Sequence, residues 1–81
     1  MIRFKVHFYA QLKDFFGETM ELELAGNSTV ADLFAALSKK NALAAEWLRV
    51  SRAAGEDAFL GHEQLLTDAG SYYILPPSSG G

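Results

Sequence analysis

The chain has 81 residues, enough for one small domain that buries only about 60–65% of its unfolded surface. Hydrophobic residues make up 49% and charged residues 21%, which argues against a disordered chain, and the lack of cysteine excludes a disulfide framework, a thiolate metal site and a cysteine nucleophile. A net charge of −3 argues against nucleic acid as a partner, because phosphate neutralisation needs an excess of Lys and Arg, and it fits a protein partner with a basic docking face.

Met1 leads at once into strand-like alternation, with no basic and apolar leader, and no apolar run approaches the ~20 residues of a membrane span. A cytoplasmic protein that meets no membrane is therefore expected. Ile2, Phe4, Val6 and Phe8 alternate with Arg3, Lys5, His7 and Tyr9. This period of two predicts a half-buried strand with the first set inward. Residues 10–16 read as a loop or helical turn closed by Gly17. Met20, Leu22 and Leu24 alternate with Glu21 and Glu23 and predict a second strand, antiparallel to the first across a wide connection.

Thr29 and Asp32 have the spacing of a capping box. Val30, Leu33, Phe34 and Leu37 then fall on one face of a helix. Lys39 and Lys40 suit its negative end, and Asn41 is its expected stop. Leu43, Trp47 and Leu48 predict a second helical turn. Residues 49–54 read as a weak strand and residues 55–57 as a turn. A short strand is expected at residues 58–60. Leu65 and Leu66 are expected to cap the core, residues 67–70 to turn, and Ser71 to Leu75 to form the last strand. Strands before and after a single main helix predict an α+β fold of two layers. With the first and last strands parallel at the centre, this is the β-grasp (ubiquitin-like) arrangement: a mixed sheet on one main helix.

The division expected is a body over residues 1–75 and a tail over residues 76–81. Pro76 and Pro77 fix φ and favour extended backbone. Ser78, Ser79, Gly80 and Gly81 follow. Glycine lacks a Cβ, so such an end can thread a narrow channel and present an unshielded carboxylate at Gly81. The plain alternative is an inert Ser/Gly end. Strand parity puts Tyr9, Tyr73 and Leu75 on the outer face, and Phe59 out of phase with Ala58 and Leu60. If their strands are neighbours, these residues form an apolar docking patch at the root of the tail. His7 and His62 read as surface residues. Glu56, Asp57 and Glu63 read as solvated rather than as a metal site. Ser78 and Ser79 lack a histidine partner for nucleophilic catalysis.

Three stretches carry a family resemblance: Phe8-Tyr9-Ala10-Gln11, Leu66-Thr67-Asp68, and Ile74-Leu75-Pro76-Pro77 leading to Gly80-Gly81. On these the chain resembles the ubiquitin-like sulfur carriers of the MoaD/ThiS family, and within it the small subunits of molybdopterin synthase, MoaD-like. It departs from the family in having Ala69-Gly70-Ser71 where Gly-Asp is frequent, Gly55-Glu56-Asp57 where Asn is frequent, and Ser78 where Val is usual. The resemblance implies a carrier that is not itself an enzyme. A MoeB-like adenylyltransferase would use ATP and Mg²⁺ to convert the Gly81 carboxylate to an acyl-adenylate, and a persulfide donor would turn it into a thiocarboxylate. A MoaE-like large subunit would then take the sulfur for cyclic pyranopterin monophosphate. The chain would bind no cofactor or metal itself. A ubiquitin-like modifier joined to lysines, a carrier for another pathway such as thiamin, and a plain interaction domain are the competing readings.

Overall fold

In the computed structural model, which describes residues 1–77, the opening alternation becomes strand β1 (Ile2–Phe8). Phe4, Val6 and Phe8 are buried, while Arg3 and Lys5 are exposed. A 3-10 turn (Ala10–Leu12) and the single helical turn α1 (Lys13–Phe16) form the wide connection. It closes at Gly17, whose φ of 82° favours glycine. Strand β2 (Thr19–Leu24) then pairs antiparallel with β1, from Ile2 opposite Leu24 to His7 opposite Thr19.

Helix α2 (Val30–Lys40) starts at the expected capping box. Thr29 Oγ1 accepts from Asp32 N, and the Asp32 carboxylate accepts from Thr29 N at 2.8 Å. Its Val30, Leu33 and Leu37 are fully buried, in one core with Phe4, Val6, Phe8, Tyr72 and Ile74. Each such side chain contributes roughly 1.5–3 kcal/mol by burial. Phe4 meets Tyr72 edge-on at 5.5 Å, a favoured aromatic geometry. Asn41 ends the helix, and its side chain accepts from Leu43 N at 3.1 Å to open a 3-10 turn (Ala42–Ala44).

Helix α3 (Ala45–Val50) follows. Strand β3 (Arg52–Ala54) is shorter than the sequence implies, because residues 49 and 50 belong to the helix. Ser51 makes the boundary: its hydroxyl donates to Trp47 O at 2.6 Å and its amide to Leu48 O at 3.1 Å. Strand β4 (Phe59–Leu60) and strand β5 (Ser71–Leu75) complete a sheet of order β2-β1-β5-β3-β4. This is the β-grasp: β5 lies between β1, to which it is parallel, and β3, to which it is antiparallel. Leu66 caps the core, but Leu65 is 55% exposed. Leu65 pairs with Thr29 as an isolated bridge while Leu66 N donates to Ser28 O, and successive residues of extended backbone face opposite ways. In the second helical turn Leu43 is exposed, while Ala44 and Leu48 are buried. Among the described residues no helix is long and apolar enough to cross a membrane.

The turn before β5 is tied to β1. Asp68 Oδ1 accepts from Arg3 N, Ala69 N donates to Arg3 O, and Lys5 N donates to Gly70 O. Ala69 sits at φ 64°, where a side chain costs ~1–2 kcal/mol. A Cβ at Gly70 would lie 2.9 Å from both Thr67 Oγ1 and the Tyr72 hydroxyl, which hydrogen-bond each other at 3.1 Å. Two neighbouring substitutions should therefore act oppositely in thermal denaturation. Ala69→Gly is expected to stabilise by up to about 1 kcal/mol. Gly70→Ala is expected to cost about 1–3 kcal/mol by parting the hydroxyls. A Gly70→Ala protein that melts with wild type contradicts this account of the turn.

Candidate functional site

Among the described residues the helices pack on the inner face of the sheet, in the core with Phe4, Val6, Phe8, Tyr72 and Ile74, and the strand registers set what the outer face displays. His7 of β1 lies beside Tyr73 of β5, Tyr73 opposite Ala54 of β3, and Ala54 opposite Phe59 of β4. One step toward the end of β5, Leu75 lies opposite Arg52. Tyr72 and Ile74 are buried on the inner face, so alternation sends Tyr73 and Leu75 outward. The chain leaves the sheet after Leu75, where Pro76 is half-buried and Pro77 exposed. Proline has no amide N–H to donate to the ladder.

Tyr73 is the centre of the display. Its ring stacks on His7 at 4.6 Å and lies 6.4 Å from the ring of Tyr9, which is 42% exposed just past the end of β1. Its hydroxyl donates to Glu56 Oε2 at 2.8 Å. Phe59 is 56% exposed and lies two strands from Tyr73, with Ala54 between. The Arg52 guanidinium lies over the Phe59 ring, 4.1 Å from its centroid. The face is therefore more polar than a patch of Tyr9, Phe59, Tyr73 and Leu75 alone implies. Arg52 and Glu56 were not singled out for docking from sequence. Alternation places Arg52 outward, but its partner Phe59 lies across a turn whose pairing the sequence does not state.

Of the expected tail residues, Pro76 and Pro77 follow the sheet directly, while Ser78, Ser79, Gly80 and Gly81 lie outside the described residues. His62 packs on Phe34 of α2 at 5.5 Å, in the helix layer and apart from His7. Among the described residues no three His, Asp or Glu side chains group closely enough to hold a metal ion.

The sequence model of the ThiS family matches residues 6–81. Among solved structures, a Pyrococcus furiosus protein with the provisional name molybdopterin converting factor, subunit 1, superposes with a TM-score of 0.85 at 20% identity, over 96% of this chain and all of that one. The small archaeal modifier protein 1 of Haloferax volcanii gives 0.81 at 17% identity, over 96% and 100% of the two chains. The ubiquitin of Caldiarchaeum subterraneum gives 0.69 at 18% identity, over 99% and 98%. At such identities these likenesses speak for the fold alone. No curated relative matches the sequence.

The Tyr73–Glu56 contact is open to a direct test. The hydrogen bond to Glu56, then partial burial, then the charges of Glu56 and Tyr9 hold the Tyr73 phenol above its usual range near 10. A raised acid is one whose neutral form the fold favours. The stabilisation is thus fully present below the ordinary tyrosine range and is lost as pH rises through the raised value. In an ultraviolet titration one late-ionising tyrosine should disappear in Tyr73→Phe. It should shift earlier in Glu56→Gln, where the acceptor loses its charge. Identical curves for wild type and Glu56→Gln would show that the contact does not form in solution.

Proposed function

Since this chain belongs to the ThiS family, we propose that it is a sulfur carrier of the MoaD kind, the small subunit of a molybdopterin synthase. The observation that carries this reading is the family match, which runs through the double proline to Gly81. The central strand leads straight into that segment. The choice of pathway rests on the resemblance carried by Pro76-Pro77 ahead of Gly80-Gly81.

A carboxylate is a poor acyl donor because its oxygen leaves badly. In the proposed sequence a Gly81 carboxylate oxygen attacks the α-phosphorus of ATP on an adenylating enzyme that also holds Mg²⁺, and pyrophosphate leaves. The terminal sulfur of a protein persulfide then attacks the acyl carbon, and AMP leaves with the former carboxylate oxygen. A second thiol cleaves the resulting acyl disulfide, leaving the thiocarboxylate on Gly81 and a disulfide on the donor side. The large subunit receives that end and passes its sulfur to cyclic pyranopterin monophosphate. This chain supplies no acid or base in these steps. It supplies the carrying atom, a slim end and the docking face of Tyr9, Phe59, Tyr73 and Leu75.

The second reading is a modifier joined to lysines. It has the comparable likeness to the small archaeal modifier protein in its favour. Both readings begin with adenylation and part at the nucleophile.

The test is a mixture of this chain, its adenylating enzyme, ATP and a persulfide donor, followed by intact mass. Wild type is expected to exchange one oxygen for sulfur. Deleting Gly81 withdraws the carboxylate by about 3.3–3.6 Å, too far when reacting atoms must come within roughly 3–3.5 Å. Gly80→Val puts a branched side chain in the channel. Both variants should melt as wild type does and gain no sulfur. Sulfur on the Gly81 deletion would mean that the tail is not the reactive site.

A further inference from the structure

Three observations meet at the root of the tail. Arg52 lies opposite Leu75 in the β3–β5 register, so its side chain leaves the sheet beside the point where the chain departs. The guanidinium is laid over Phe59 at 4.1 Å from the ring centroid. The ion pairs among the described residues join Arg3 to Glu23 and Arg49 to Glu46. Arg52 is exposed and in neither of them. A guanidinium held on an aromatic face keeps its N–H edge outward, in the planar fork that fits a carboxylate bidentately. The stacking also restricts a side chain that would otherwise be ordered only on docking, so less entropy is lost there.

We propose that the stacked Arg52 is a carboxylate-reading contact that selects the adenylating enzyme, by pairing with an Asp or Glu on the rim of that enzyme's tail channel. The inference rests on the carrier reading above and adds the partner's chemistry at one position. It revises the charge expected of that partner. The overall net charge of −3 suggests a basic docking face, whereas at the tail root this chain presents a cation. Reach decides between a protein carboxylate and the nucleotide as the anion met by Arg52. Residues 76–81, threaded extended, carry the Gly81 carboxylate up to about 20 Å beyond Leu75. Arg52 is anchored on Phe59 at the near end, far from the α-phosphate. Its counter-charge is therefore on the protein rim, and its loss acts on association rather than on the chemical step.

The experiment is ATP–pyrophosphate exchange by the adenylating enzyme with the full chain as the varied substrate. Wild type is compared with Arg52→Glu, Arg52→Lys and Phe59→Leu. Arg52→Glu should raise KM about tenfold or more, the scale of a charged hot spot, with kcat within twofold. Arg52→Lys keeps the charge but loses the fork, and Phe59→Leu keeps the fork but loses its platform, so each should give a smaller rise. The Arg52→Glu effect should shrink as salt is raised. A KM within twofold of wild type for Arg52→Glu overturns the proposal and leaves the carrier reading intact. A fall in kcat at constant KM also overturns it, because Arg52 would then act at the nucleotide. No exchange with wild type contradicts the carrier reading and this inference together.

Discussion

The parallel pairing of β1 with β5 is the constraint on which the molecule depends. It places Val6 beside Tyr72 and Phe8 beside Ile74 on the core side, and His7 beside Tyr73 on the other. A slip of one residue would reverse every side chain of β5. Tyr72 and Ile74 would come to solvent, and Tyr73 and Leu75 would be forced against α2. The register is held at its start by the tie from residues 68–70 to Arg3 and Lys5. That explains why a strained Ala69 persists there: three hydrogen bonds to β1 outweigh a local cost of ~1–2 kcal/mol. Parallel strands need a long crossover, so α2, β3 and β4 all lie between the two strands in sequence.

From that pairing follows a division of labour. The inner face of the sheet and the helices make a core that is closed by Leu12, Leu48 and Leu66. The outer face keeps its aromatic residues at the end of β5, where the tail begins. Charged residues hold the other end, with Arg3 opposite Glu23 and Lys5 opposite Glu21. Stacked rings tie His7 and Tyr9 to Tyr73, and Tyr73 is tied to Glu56. A stiff display of this kind loses little freedom on docking. In the proposed reading the reactive chemistry is left to Gly81, beyond this display.

Much of this was legible in the sequence because it is local. The alternation from Ile2 to Phe8 has one interpretation, and Thr29 and Asp32 announce the start of α2 three residues apart. The parity of Tyr72 and Ile74 against Tyr73 and Leu75 follows from the strand period. The start of β3 was not legible, since Val50, Ser51, Ala53 and Ala54 suit helix or strand and a side-chain bond from Ser51 to Trp47 decides between them. Leu65 and Leu66 read alike until the backbone bond from Leu66 to Ser28 sets which one faces inward. Arg52 on Phe59 and Tyr73 on Glu56 are contacts across the sheet between residues 7 and 17 positions apart. No pattern in the sequence states them. The proposed role of Gly80 and Gly81 comes from the family resemblance, since spacing alone leaves it open.

The central claim is that the folded body exists to present one carbonyl carbon at Gly81 for sulfur. The most direct measurement is the intact mass of this protein purified from its own cells while their sulfur pathways are active. The account predicts a population heavier by one oxygen-to-sulfur exchange, with the change mapping to the last peptide. That population should return to the unmodified mass when the adenylating enzyme is removed. A protein found only linked through Gly81 to lysines of other proteins, with no sulfur-bearing form, would contradict it.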